Sequence, residues 1–246
     1  MKIKKALLGI LLVGAVVTLA ACGKTLSTSS SSSNKPSAQA TSFSPDVKAG
    51  GQIFVDYSCV KCHNYQGKGG IIDPVRNKAI PALKAKEAKS LKSILTNGII
   101  VSKGKENGWI NMPNWRGILS DQQINQLTAY FKAGLPNIGA KPLPDTTGPE
   151  IYTAYACVKC HGDYGKGGIV DQVYPASSGD HFVPTLDQGG YAKDNGVKYA
   201  KKLMNGSIPH HGVATGYPGT LFMPAWGQLM NKTQLQAIEN YLKTGK

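Results

Sequence analysis

Two segments of the chain space their apolar residues as an amphipathic helix does. They run from Ser120 to Ala133 and from Lys232 to Thr244, and glycines follow both ends at Gly134 and Gly245. Ser120 is suited to be the N-cap of the first helix. Weaker patterns predict further helices over residues 46–58, 149–156, Ser90–Thr96 and Val197–Asn205. The pattern therefore predicts helices joined by long loops, an all-α fold.

The N-terminus has a different pattern. Three lysines are followed by an apolar run from Ala6 to Ala21, and these 16 residues are too few to span a bilayer but suit a secretory signal. The run ends in Leu-Ala-Ala-Cys-Gly, which resembles a bacterial lipobox. We therefore predict a lipoprotein signal peptide over residues 1–21 and lipidation of Cys22, which would anchor the protein to the membrane. An ordinary signal peptide with an incidental Cys22 is the alternative.

Composition predicts how the rest of the chain is divided. Residues 22–45 are rich in Ser and Thr and have little to bury, which predicts a flexible tether with a reach of roughly 25 Å. Residues 137–147 form a stiffer, Pro-rich linker. These two segments delimit one predicted domain over residues 46–136 and a second over 148–246.

The two predicted domains are copies of one unit. Cys59–His63 recurs as Cys157–His161, and Gly67–Ile71 recurs as Gly165–Ile169, both at an offset of 98 residues. The segments Met112–Trp115 and Met223–Trp226 match at an offset of 111. The second copy has therefore gained 13 residues between its histidine and its methionine.

The repeated Cys-x-x-Cys-His motif is a signature of covalent attachment of c-type haem. It predicts two haem c groups bound through thioethers, with the following histidine as an axial ligand of each iron. The predicted residues are Cys59, Cys62 and His63 in the first unit and Cys157, Cys160 and His161 in the second. A redox dithiol would need a βαβ context, which is absent, and a zinc site would need a second ligand pair for each motif.

Methionine supplies the candidate for the second axial ligand. Met112 and Met223 are aligned between the units, and each is followed by proline and, three residues on, by tryptophan. Met204 and Met230 align with threonine and leucine, so we interpret them as packing residues. Trp115 and Trp226 are candidates for packing against haem.

With these motifs, each unit resembles class I cytochrome c, and the whole resembles a tandem dihaem c-type cytochrome anchored as a lipoprotein. The resemblance covers residues 46–246. It implies that Pro81 and Pro184 present their carbonyls to Nδ1–H of the axial histidines, which would fix the ring plane. A simple turn role is the alternative for both prolines.

Two features depart from the family pattern. Asn64 follows the first histidine, where the second has the more usual Gly162. The 13 extra residues bring in histidines (His181, His210 and His211) that could displace Met223 or bind a metal, although solvated loop histidines are the alternative. The two Gly-Lys-Gly-Gly loops do not fit a phosphate-binding motif. We expect their glycines to let the backbone approach the haem closely.

Iron with histidine and methionine ligands has no open position for a substrate, so the resemblance implies an electron carrier and not an enzyme. The leading hypothesis is transfer from a membrane quinol-oxidising complex to a terminal oxidase or reductase of a respiratory chain. One alternative is a dihaem redox enzyme of the peroxidase or thiosulfate dehydrogenase type. Another is a fixed electron-transfer subunit of a larger oxidoreductase.

Charge indicates the kind of partner. The chain has 28 Lys and Arg against 14 Asp and Glu, a net charge of +14, of which +11 remains without residues 1–21. Redox proteins with acidic docking faces and anionic lipid are natural partners for such a surface. We expect no nucleic acid, since the predicted location is the outer face of the cytoplasmic membrane or the periplasmic side. A lysine surface that serves only solubility is the alternative.

Overall fold

The computed structural model describes residues 42–99, 110–167, 169–170, 183, 185–186, 197–206, 221 and 223–244. The predicted signal peptide, Cys22, most of the tether, Pro184 and the three histidines of the insertion lie outside these ranges. Within them, none of the helices has the length and apolar character needed to cross a bilayer.

The described chain is built from eight helices and one small hairpin. The helices are α1 (Pro45–Asp56), α2 (Cys59–His63), α3 (Leu91–Asn97), α4 (Asp121–Lys132), α5 (Gly148–Ala154), α6 (Cys157–His161), α7 (Val197–Asn205) and α8 (Lys232–Thr244). The strands β1 (Ile72–Asp73) and β2 (Lys78–Ala79) pair antiparallel. Short 3-10 turns lie at Tyr65–Gly67, Ala85–Lys89, Asp163–Gly165 and Trp226–Leu229. The predicted helical fold is confirmed, and the hairpin is an addition to it.

The amphipathic segments form helices where their patterns predict them. Helices α7 and α8 have the predicted bounds, and α4 is one residue shorter at each end. Ser120 is its N-cap, as expected. The Ser120 side chain accepts a hydrogen bond from the Gln123 amide, and the Gln123 side chain accepts one from the Ser120 amide. This capping box satisfies two backbone donors that would otherwise have no partner.

The helices before the two cysteine motifs end two residues earlier than predicted, at Asp56 and Ala154. The cause is a left-handed residue in each copy, Ser58 with φ 61° and Ala156 with φ 56°. A single left-handed residue cannot continue a right-handed helix. Each cysteine motif therefore begins a separate short helix instead of extending the helix before it.

Each half has an aromatic core where its first long helix meets its last. In the first half α1 packs on α4, and the Phe54 ring lies 5.8 Å from that of Tyr130 and 6.4 Å from that of Phe131. In the second half α5 packs on α8, and the rings of Tyr152 and Tyr241 lie 5.4 Å apart. These aromatic pairs bury large apolar areas at fixed geometry.

Glycine makes both of these helix contacts possible. A β-carbon at Gly50 would lie 2.8 Å from Cβ of Tyr130, and nearer still to the carbonyl oxygen of Gln126. A β-carbon at Gly148 would lie 2.8 Å from the carbonyl oxygen of Ala237 and would overlap Tyr241. The helices approach this closely because no side chain separates them.

The two halves are in direct contact. The Ser58 hydroxyl donates a buried hydrogen bond of 2.7 Å to the carbonyl of Ala154. Ala156 belongs to the core cluster of the first half, and Cys62 packs against that of the second. Leu143, in the predicted linker, packs against both clusters. The linker is therefore part of the packed structure.

Candidate haem-binding sites

The four cysteines of the repeated motif lie on two short helices. Cys59 and Cys62 are on α2, and Cys157 and Cys160 are on α6. Residues three apart share one helix face, so each pair presents both sulfurs on the same side. None of the four forms a disulfide. Burial raises the pKa of each thiol to about 12, which favours the uncharged thiol over the thiolate at neutral pH.

Each short helix ends on its histidine. Nδ1 of His63 is buried and has no hydrogen-bond partner of normal geometry among the described residues. Burial lowers the pKa of His63, against smaller raising effects of Glu87 and of the backbone carbonyl of Pro81. The structure thus brings Pro81 to His63, although its role toward an iron-bound ring stays a prediction. His161 is also buried.

The glycine-rich loops hold the histidine backbone. The Gly69 amide donates to the His63 carbonyl at 2.8 Å, and the Gly167 amide donates to the His161 carbonyl at 2.7 Å. A β-carbon at Gly69 would lie 2.6 Å from the carbonyl carbon of Pro81. This glycine, with φ 66°, therefore permits a close approach between two backbone segments. This backbone contact is enough to explain the glycine, and the expected approach of the loop to a haem stays a prediction.

The structure also explains the departure at Asn64. Its backbone has φ 59° and ψ 170°, a region that is almost restricted to glycine, and Gly162 adopts the same conformation in the second half. The Asn64 side chain accepts a hydrogen bond of 2.7 Å from the Tyr65 amide and donates one of 3.4 Å to the Gly69 carbonyl. These local bonds offset the strain.

The two candidate methionines are held by matching backbone contacts. Met112 pairs with Ile99 through two backbone hydrogen bonds, of 2.8 and 3.0 Å. A β-carbon at Gly98 would lie 2.7 Å from the Met112 carbonyl oxygen, and one at Gly206 would lie 2.7 Å from that of Met223. Each methionine packs against the core of its own half, as does the first cysteine of that half.

Met230, Trp115 and Trp226 are core residues. Met230 is buried in the second core. The Trp115 ring packs edge-on against Tyr57 at 5.7 Å, and the Trp226 ring packs against Tyr155 at 5.9 Å. These contacts account for the burial of both tryptophans, and their packing against haem stays a prediction.

Asp73 is a site residue that the motifs did not single out. Its side chain is 0% exposed and forms an ion pair with Arg76. It accepts hydrogen bonds from the backbone amides of Val75, Arg76 and Ile110. This carboxylate joins the hairpin to the segment that leads into Met112. The internal repeat could have identified Asp73, since the second unit has an aspartate, Asp171, at the equivalent position 98 residues later.

We predict that Asp73→Asn destabilises the first half by about 2–4 kcal/mol, because asparagine loses the buried ion pair and keeps only one of the two acceptor oxygens. Burial opposes ionisation, but the amides of Ile110 and Arg76 and the Arg76 guanidinium outweigh it and lower the pKa of Asp73. The contribution is therefore present above the unfolded pKa of about 3.9 and is lost as pH falls through the lower folded pKa.

Urea unfolding of the holoprotein at pH 7 and at pH 3 measures this contribution. Asp121→Asn is the matched control, since Asp121 forms an ion pair with Lys92 on the surface and should contribute nothing measurable. Equal stability of the two variants at pH 7 would contradict the assignment.

The residues of each half fit a covalently bound haem. Each half has two reduced thiols on one helix face with a histidine at the end of the same helix, and in the first half the buried Nδ1 of that histidine has no partner of normal geometry among the described residues. Such a haem supplies reversible one-electron chemistry.

The comparisons agree with this geometry. The model of the family described as Cytochrome c matches the chain twice, over residues 47–134 and 146–246. No curated protein and no solved structure matches the chain significantly. Each family match contains one complete Cys-x-x-Cys-His motif and one of the two aromatic helix contacts. The chain therefore belongs to the cytochrome c family, carries two covalently bound haem c groups and functions in electron transfer.

Proposed function

We propose that the protein is a membrane-anchored electron carrier in which His63 and Met112 hold one haem iron and His161 and Met223 hold the other. The observation that carries the proposal is the equivalent setting of the two methionines. The backbone carbonyl of each methionine lies against the Asn-Gly end of a helix, at Gly98 or Gly206. Both copies keep this contact although the second has 13 more residues between its histidine and its methionine.

Histidine and thioether ligands together favour a carrier over an enzyme. They complete the coordination of the iron, so substrate has no open position, and the thioether raises the reduction potential. The apolar cores around both motifs exclude water and disfavour the additional positive charge of the oxidised state. The protein then has to hold the haem groups and present them to partners.

The sequence supports a location at the outer face of the cytoplasmic membrane or on the periplasmic side. Lipid on Cys22 and a tether over residues 22–45 would let the two halves move between membrane partners. The basic charge suits redox partners with acidic docking faces, such as a quinol-oxidising complex and a terminal oxidase or reductase.

An optical titration of the protein purified from membranes tests the proposal. We expect recovery in the membrane fraction, two haem groups per chain, and the weak long-wavelength band of methionine-ligated ferric haem from both. Cyanide, carbon monoxide and peroxide should leave both spectra unchanged, since neither iron has an open position. A haem without the band that binds these ligands would instead support a redox enzyme. Copurification with a larger complex in mild detergent would support a fixed subunit.

A further inference from the structure

Two lysine–tyrosine contacts cross between the halves in a reciprocal pattern. Nζ of Lys61 lies 4.5 Å from the centroid of the Tyr155 ring, and Nζ of Lys159 lies 4.7 Å from that of Tyr57. The repeat makes Lys61 equivalent to Lys159 and Tyr57 equivalent to Tyr155, each at the offset of 98 residues. The contacts therefore follow an approximate two-fold relation between the halves, as in an isologous interface.

The setting of these contacts favours a strong interaction. Tyr57 is 7% exposed, Tyr155 is 2% exposed, and each ring is backed edge-on by the tryptophan of its own half. The Lys61 side chain is 19% exposed. A cation over a desolvated aromatic face is worth more than one at an exposed site. The buried hydrogen bond from Ser58 to Ala154 lies between the same two segments.

The same interface brings together the residues that attach the two haem groups. Each lysine stands between the two cysteines of its own motif, so its contact joins one attachment helix to the other half. Cys62 packs against the second core. Tyr155 belongs to the second core, against which both Cys62 of the first half and Cys157 of the second half pack. Tyr155 therefore lies between the attachment residues of the two halves.

The two lysines differ in their ion-pair partners. Lys61 also forms an ion pair with Asp145 of the linker. Among the described residues, no carboxylate is within ion-pairing distance of Lys159. The two attachment helices have the same sequence, but within the described ranges only Lys61 has a carboxylate partner. This gives the two halves different electrostatic surroundings despite their repeat.

We propose that the reciprocal contacts hold the two attachment helices against each other. Tyr57 and Tyr155 are then positioning residues, which set the strength of the electrostatic interaction between the two haem groups. A single electron passes within the chain from the reduced to the oxidised half, with no transfer of a proton or atom. This rests on the two haem groups being present and on neither methionine ligation nor membrane anchoring, so it can fail while the proposed function holds.

Three double variants separate the contribution of the rings from that of the charges. Tyr57→Leu with Tyr155→Leu removes both rings without altering charge, and Tyr57→Phe with Tyr155→Phe is its matched control. Both the Leu and the Phe variants lose the hydrogen bonds of the tyrosine hydroxyls. The difference between the values measured for these two variants therefore reports the effect of removing the aromatic rings. Lys61→Met with Lys159→Met keeps most of the apolar stem and removes the charge.

The first measurement is amide hydrogen exchange over residues 57–63 and 155–161 in the oxidised holoprotein. Losing both cation–π contacts should raise the amide exchange rate roughly tenfold in the Leu and Met double variants, because such contacts stabilise the interface when they are desolvated. The Phe variant should exchange more slowly than the Leu variant, because it keeps both rings and loses only the hydroxyl hydrogen bonds. If the Leu variant does not fold, the Met variant decides this point. Unchanged exchange in the Met variant overturns the proposed clamp.

The second measurement is the spacing of the two midpoint potentials in a redox titration. Two oxidised haem groups repel each other, and the repulsion widens the spacing when they are held close. The Leu double variant should narrow the spacing relative to the Phe control, and a single Tyr155→Leu variant replaces it if the double variant does not fold. Faster exchange with an unchanged spacing would overturn the positioning role.

Discussion

Replacing Met112 with leucine is expected to lower the midpoint potential of one haem by an amount on the order of 0.1 V, within the ~0.8 V range that axial ligands span. Leucine fills the same space without a sulfur, so the iron loses the ligand that raises its potential. The long-wavelength band should disappear from that haem, which should then bind cyanide. Met223→Leu should do the same to the other haem.

Met230→Leu is the matched control for both variants. Met230 is buried in the second core, and a swap of methionine for leucine conserves volume and costs less than about 1.5 kcal/mol. Its spectrum and both potentials should stay unchanged. If Met112→Leu kept the band of both haem groups, a different methionine would have to be the ligand. If instead one haem of the unaltered protein lacked the band, the insertion with His210 and His211 would be the first place to search for its ligand.

Replacing Gly50 with alanine is expected to destabilise the first half by roughly 2–4 kcal/mol. Helix propensity alone predicts the opposite sign, since alanine favours a helix interior over glycine by about 1 kcal/mol. The added β-carbon would overlap the Gln126 carbonyl and the Tyr130 side chain, so α1 and α4 would have to separate. Gly148→Ala should have the same effect on the contact of α5 with α8.

Thermal unfolding followed by circular dichroism measures this effect, with Lys48→Ala as the control. Lys48 lies two residues from Gly50 on α1 and is exposed, so its replacement should change stability by less than about 0.5 kcal/mol. A Gly50→Ala variant as stable as the control would mean that the two helices adjust at no cost.

Much of the candidate site was predictable because its chemistry is local in sequence. Both cysteines and the histidine of each motif lie within five consecutive residues, so their shared helix face follows from the spacing alone. The amphipathic patterns predicted α4, α7 and α8 nearly to the residue because each carries its own periodicity and cap. The patterns before the cysteines failed at Ser58 and Ala156. Neither residue marks a left-handed turn by its identity.

The residues that were missed act through partners far along the chain. Asp73 accepts its bond from the Ile110 amide 37 residues away, and Ser58 donates to a carbonyl 96 residues away. Nothing in the pattern around Gly50 indicates that another helix backbone lies against it. Periodicity predicts which face of an element is buried but carries no information about which element covers it.

By itself, the sequence therefore determined that the chain is a repeated helical unit with two haem-attachment motifs, because repetition and ligand spacing are properties of order along the chain. Only the tertiary structure decided that Lys61 meets Tyr155 while Lys159 meets Tyr57, that Asp145 neutralises one lysine, and that glycines allow the long helices to touch. Those contacts depend on how the packed halves fit together, and the free energy of that fit is shared among residues distant in sequence.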